Sequence, residues 1–208
     1  MNEWIVGLCY VLAGYLSGTI LFAKIFVSKF CGENIVLISK DGNPGTANAF
    51  AAGGIWIGGL TLLCELGKGF LPVYLYCRSQ LEVPDWMIAP VLVAPVLGHA
   101  FPLLMRGRGG KGIAVTFGCL LGLAPCWAPV MILVASFLFF SLIVVISPHQ
   151  YRTAVAVFAA AIATMIVMSN PWIRCGVCIN YCIILIRLLL SREERTECKV
   201  RLFWKRLR

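Results

Sequence analysis

The chain has 208 residues, of which 60% are hydrophobic and 13% charged, with a formal net charge of +9 and a mean hydropathy of +0.88. These values lie far outside the range of soluble globular domains and point to a polytopic membrane protein. The positive charge reads as topology and as contact with anionic lipid headgroups; without basic domains interleaved with aromatics, it does not point to nucleic acid.

Apolar stretches at 4–30, 53–76, 86–105, 113–124, 127–147, 153–169 and 171–190 predict an all-α transmembrane bundle of about seven spans. Most approach the roughly 20 residues that a spanning helix needs. The first reads as a membrane span rather than a cleaved leader, because it is long and begins with Asn2 and Glu3 where a leader carries positive charge. Within it Gly14, Ser17 and Gly18 are expected to permit close helix packing. The stretch from Ile113 to Ser147 is too long for one span, and Pro125 and Pro129 are the expected places for a break.

The second stretch contains Glu65 and Lys68, which a straight spanning helix places near the bilayer centre at about 3 kcal/mol each. At i, i+3 they share a helix face and can pair. A partly inserted helix over 53–64 that returns both charges to the polar face is equally open. In either geometry an intramembrane lysine marks a functional site by default.

The basic residues Lys29, Lys40, Arg106, Arg108, Lys111 and Arg152 alternate with an opposite side that holds Arg78 and Arg174, and the tail adds Arg192, Arg195, Lys199, Arg201, Lys205, Arg206 and Arg208. The positive-inside rule then predicts an external amino terminus and a cytoplasmic carboxyl terminus. One transmembrane domain over 1–190 is followed by a basic cytoplasmic tail over 191–208.

Three segments share a chemistry suited to phosphate. Gly98-His99-Ala100-Phe101-Pro102 running into Arg106-Gly107-Arg108-Gly109-Gly110-Lys111-Gly112 joins cations to backbone that can converge its N–H groups on an anion. Asp41-Gly42-Asn43-Pro44-Gly45-Thr46-Ala47-Asn48 and Glu65-Leu66-Gly67-Lys68-Gly69 are similar. The loop formally matches G-x-G-x-x-G but lies between spans, and Gly112 after Lys111 excludes a Walker A loop. Two histidines and two aspartates leave little material for a hydrolase triad. Cys175, Cys178 and Cys182 have ligand-like spacing without a nearby histidine, so they read as packing residues, with no metal and no cofactor implied.

Ser39 through Asn48 resembles S-G-S-G-N-x-G-A-T-N, Glu65 through Gly69 resembles D-x-x-K-G, and Gly98 through Gly112 resembles G-H-x-x-P…K-G-G-K-G. Together, in this order, they resemble the bacterial integral-membrane acyl-phosphate:glycerol-3-phosphate acyltransferases, the PlsY type. The resemblance spans nearly the whole chain. It implies about seven helices, an active site on the cytoplasmic side of the bacterial inner membrane, and acyl transfer from acyl phosphate to glycerol 3-phosphate in phospholipid biosynthesis. It implies His99 and Lys111 as catalytic residues. Substrate phosphate is expected at Lys111, Arg108, Gly109, Gly110 and Gly112, with Lys68 as a second cationic anchor and Ser39, Asn43, Gly45, Thr46 and Asn48 as positioning residues. The expected partners are the two substrates and membrane lipids, and the expected state is a monomer.

The chain departs from the pattern at Asp41, where the family has serine, at the inverted Thr46-Ala47, and at Ala51 in place of arginine. Leu188 and Ser191 replace the histidine and asparagine of a carboxyl-terminal R-H-x-x-N. A divergent paralogue with another acceptor or without catalysis, and a phosphate- or lipid-binding protein or transporter, stay open as alternatives. The short chain without an internal repeat argues against a transporter.

Overall fold

The computed structural model describes residues 3–79, 84–105, 107–191 and 196–202. Asn2, Arg106 and, from the basic tail, Arg192, Arg195, Lys205, Arg206 and Arg208 lie outside the described residues. The helices are α1 (Glu3–Thr19), α2 (Phe22–Cys31), α3 (Ile35–Ile38), α4 (Thr46–Arg78), α5 (Ile88–Ala100), α6 (Ile113–Gly122), α7 (Ala128–Leu138), α8 (His149–Val167) and α9 (Pro171–Leu189). A single turn at Asp85–Met87 leads into α5, and one π turn at Phe139–Ile143 extends α7. Among the described residues, four stretches are long and apolar enough to cross a membrane: Trp4–Cys31, Thr46–Arg78, His149–Val167 and Pro171–Leu189. Three shorter apolar helices, Asp85–Ala100, Ile113–Gly122 and Ala128–Ile143, fall where the remaining apolar stretches were expected.

Local chemistry explains some of the boundaries. Asn170 caps α9 by accepting from the Trp172 and Ile173 N–H groups, with Pro171 in the first turn where its missing N–H costs nothing. The expected break between α6 and α7 lies at 123–127, around Pro125.

The structure revises three expectations. The second stretch already begins at Thr46 and is two helical segments that meet at a kink at Gly54, whose φ of 67° is left-handed; the longer segment passes Glu65 and Lys68 without interruption. The first stretch is broken at Ile20 and Leu21, between α1 and α2. The bundle also carries two strands: β1 (Val144–Ser147) pairs antiparallel with β2 (Lys199–Leu202), with Val144 opposite Leu202 and Ser147 opposite Lys199. The β-branched run Val144-Val145-Ile146 followed by Pro148 favours extended backbone over another helical turn. Its hydrogen-bond partner comes from the chain end and is not visible in local periodicity.

Helix α5 is the centre of the bundle. It packs on α1 and α9, while α4 packs on α6 and α2, and α8 joins α7 to α9. Val91, Leu92 and Val96 of α5 share a core with Val115 and Leu120 of α6, Leu133 of α7, Val157 of α8 and Tyr181 and Ile184 of α9. Lipid is as apolar as these side chains, so close packing and satisfied polar groups stabilise the bundle more than burial does. Gly18 lies against the Pro95 carbonyl and Gly98 against the Tyr15 carbonyl, where a methyl group on either would overlap backbone of the facing helix. The expected close packing at Gly14 and Gly18 is therefore observed against α5. Ile55, Trp56, Leu63 and Ile166 are among the large apolar side chains left on the outer surface, as a lipid-facing surface requires. Of the cysteines in the ligand-like spacing, Cys175 and Cys182 are exposed and Cys178 half-buried; only Cys119 is fully buried, and all ten are free thiols.

Candidate functional site

The break between α1 and α2 frees backbone groups that a continuous helix would satisfy, and α4 supplies their partners. Lys68 Nζ donates to the Gly18 carbonyl at 3.0 Å and to the Ile20 carbonyl, while the Phe22 N–H donates to Glu65 Oε1 at 3.2 Å. Glu65 Oε2 pairs with Lys68 Nζ at 2.8 Å, the i, i+3 contact that the sequence makes possible. His99 from α5 completes the cluster: its Nδ1 lies 3.1 Å from Glu65 Oε2 and 3.0 Å from Lys68 Nζ. Glu65, Lys68 and His99 are 1%, 6% and 3% exposed. Three polar side chains inside an apolar bundle thus satisfy one another and a broken helix, as buried polar groups require.

Two of the residues expected at the site belong to this cluster. Lys68, expected as a second phosphate anchor, directs its ammonium to Glu65 and to the Gly18 and Ile20 carbonyls. His99, expected beside a phosphate or an attacking hydroxyl, is turned inward. Its influence reaches the glycine loop by packing: the imidazole lies against Gly110, the His99 carbonyl accepts from the Gly110 N–H at 3.1 Å, and a side chain at Gly109 would strike that carbonyl. The loop of 107–112 is therefore seated on the buried cluster.

Above the cluster lies a cleft of about 260 Å³. Asp41, Gly42 and Asn43 form one side, Arg108, Gly109 and Lys111 another, and Arg187, Leu190 and Ser191 from the end of α9 complete it. The structure thus joins two motifs that are remote in sequence. Lys111 Nζ lies 2.9 Å from Asp41 Oδ2. Asn48 Nδ2 donates to Asp41 Oδ1 at 2.8 Å and to the Asn43 carbonyl at 2.7 Å, and the Asn43 N–H donates to Asp41 Oδ1 at 3.2 Å. Gly45 precedes α4 at its cap position and Thr46 opens the helix. Ser39, just after α3, and Asn43 each bury a side-chain oxygen that has no hydrogen-bond partner among the described residues.

The three glycines expected to offer amides to phosphate divide their roles. Gly109 lines the cleft. The Gly110 amide is taken up by His99, and Gly112 takes a left-handed φ of 79° to start α6, whose Thr116 N–H and hydroxyl bond its carbonyl. Arg187 was not among the expected site residues. Its Nη1 donates to the Gly107 carbonyl at 3.2 Å, its Nη2 to the Gly109 carbonyl, and its guanidinium lies over the Phe101 ring. One signal was present in the sequence: Arg187 is the surviving first residue of the degraded R-H-x-x-N segment.

Burial alone would raise the Asp41 carboxyl. The Lys111 and Asn48 hydrogen bonds, the Lys111 charge and the Asn43 N–H outweigh it and hold the group below its ordinary value of 3.8. A depressed carboxyl contributes stability above its unfolded pKa and loses it as pH falls through the folded one. Wild type is accordingly expected to unfold at higher temperature than Asp41→Asn at neutral pH, with the two midpoints converging below pH 3.8. A difference unchanged through the acid range would show that the carboxylate charge does not hold this loop.

Fold and cleft together define a helical membrane protein whose loops bring cations and glycine backbone to one cleft. The chain belongs to the glycerol-3-phosphate acyltransferase family, which matches it over residues 8–198. It is 37% identical over 154 residues to the glycerol-3-phosphate acyltransferase of Methylobacillus flagellatus, an alignment covering 74% of each chain. It is 28% identical over 204 residues to that of Aliivibrio fischeri strain MJ11, covering 98% of each. Among solved structures it resembles PlsY (YgiH), an integral membrane glycerol 3-phosphate acyltransferase, in its glycerol 3-phosphate form. The TM-score is 0.74 at 24% identity, covering 92% of this chain and 96% of that one.

Proposed function

We propose that this protein transfers a fatty acyl group from acyl phosphate to glycerol 3-phosphate, giving lysophosphatidic acid and phosphate. Its family makes it a glycerol-3-phosphate acyltransferase of phospholipid synthesis. The observation that carries the reading to this site is the meeting of Lys111, Arg108 and Arg187 around one glycine-lined cleft. Acyl phosphate is an activated mixed anhydride, so the protein needs no covalent nucleophile. It must hold two phosphate-bearing substrates together and stabilise charge as the glycerol hydroxyl attacks the carbonyl carbon. The carbon–oxygen bond to phosphate then breaks, and the departing phosphate takes the hydroxyl proton.

In this reading Lys111 and Arg108 neutralise the phosphate at which charge grows, and the Gly109 backbone lets it approach closely. Ser39 and Asn43 turn their unpartnered oxygens toward the glycerol hydroxyls, with Gly45, Thr46 and Asn48 shaping that side. Lys68 and His99 act from beneath, by fixing the broken helix and seating the loop. Seven membrane helices, an external amino terminus and a cleft on the cytoplasmic side of the inner membrane agree with the basic residues at Lys40, Arg108, Lys111 and Arg152. The acyl chain lies between helices, open to lipid, and one chain carries a complete site.

The test is release of lysophosphatidic acid and phosphate by purified protein in lipid given both substrates. Lys111→Ala is expected to lower kcat/KM by about 10- to 100-fold, the worth of one charge-assisted phosphate contact. Absence of product from wild type, with glycerol 3-phosphate still bound, would favour a divergent binding protein.

A further inference from the structure

We propose that Asp41 is an internal competitor for substrate phosphate: its carboxylate sits on Lys111 in the anion position of the cleft, and a phosphate group binds by displacing it. This competition presupposes the phosphate-handling reading of the cleft and concerns a residue that departs from the family pattern.

The carboxylate is surrounded by donors. Oδ2 is met by the Lys111 ammonium at 2.9 Å, and Oδ1 by the Asn48 amide at 2.8 Å and the Asn43 backbone N–H at 3.2 Å. An ammonium, a side-chain amide and a loop N–H converging on two oxygens of one anion are the donor types that receive phosphate oxygens. Both partners of the ion pair have side chains only 9% exposed, so the carboxylate does not merely swing in solvent beside the lysine. Among the described residues lining the cleft, Asp41 is also the one acid, facing Arg108, Lys111 and Arg187.

The two oxygens have different duties. Oδ1 holds the turn from Asp41 to Asn48 together, and an asparagine oxygen can accept the same two hydrogen bonds. Oδ2 engages Lys111, and there an asparagine would present an NH₂ group, which cannot accept from an ammonium. Asp41→Asn therefore separates loop architecture from competition for the lysine. A competitor built into the site also imposes selectivity. A dianionic phosphate gains more from the surrounding cations than a monoanion of similar size, so it displaces the carboxylate more readily.

The experiment is equilibrium binding of glycerol 3-phosphate and, separately, of inorganic phosphate to the full chain in lipid nanodiscs, by calorimetry. Wild type is compared with Asp41→Asn and Asp41→Ser, each with and without Lys111→Met. Both Asp41 variants are expected to bind phosphate about five- to tenfold more tightly, and Lys111→Met is expected to erase that gain. The gain should appear in the KM of whichever substrate places its phosphate at Lys111, with glycerol 3-phosphate and acyl phosphate varied in turn. Equal or weaker binding by both variants, a gain that survives Lys111→Met, or failure of both variants to fold would each overturn the proposal. Because binding is read without turnover, tighter phosphate binding in a protein that transfers no acyl group would sustain this inference while removing the acyltransferase reading.

Discussion

Replacing Lys68 by methionine is expected to destabilise the protein by about 3–5 kcal/mol, because it strands Glu65 inside the bundle. The Gly18 and Ile20 carbonyls lose their donor at the same time. The substitution is nearly isosteric, so lost packing contributes little. Glu65→Gln together with Lys68→Met removes both charges and leaves an amide that can still accept from the Phe22 N–H. The double variant is therefore expected to recover a substantial part of the loss, as replaced buried ion pairs do. Thermal and denaturant unfolding in one detergent would read the comparison. A Lys68→Met protein within about 1 kcal/mol of wild type, the scale of an exposed pair, would show that the cluster does not clamp the broken helix.

Gly110→Ala is expected to lower kcat/KM by about 100-fold while leaving the bundle folded. A methyl group there runs into the His99 imidazole, which is held by Glu65 and Lys68 and cannot turn away without breaking the buried cluster. The loop must lift instead, carrying Gly109 and Lys111 from their places in the cleft. A displacement of about 1 Å in a positioned group is enough for a loss of this size. The check is steady-state acyl transfer beside circular dichroism and the unfolding midpoint. Activity near wild type with an unchanged midpoint would show that the loop tolerates the methyl group and that its seat on His99 does not set the site geometry.

The residues behind both effects were legible in the sequence by type, but their work was not. Glu65 and Lys68 announce a pair by their spacing on one helix, and they form it. That the pair would also receive the carbonyls and N–H freed at Ile20 and Leu21 could not be read, because nothing in the apolar run from Trp4 to Phe30 marks a break as strongly as proline would. His99 joins from another helix, and Arg187 reaches Gly107 and Gly109 from the far end of the chain. Asp41 was visible as a misplaced negative charge near an anion loop. Its partner Lys111 stands on a different loop, so periodicity and local spacing are silent about the contact.

Composition and hydropathy by themselves determined the membrane class, the positions of the apolar helices and the grouping of glycine, asparagine and basic residues into short polar connections, since each of these follows from local residue type and period. Only the tertiary structure decided how the cations are used: Lys68 inward on a broken helix, Arg187 on the carbonyls of the glycine loop, Lys111 in the cleft with Asp41 upon it. The reason is physical. A buried charge takes its role from whichever groups the fold brings within hydrogen-bonding distance, and in a helical bundle those groups come from other helices.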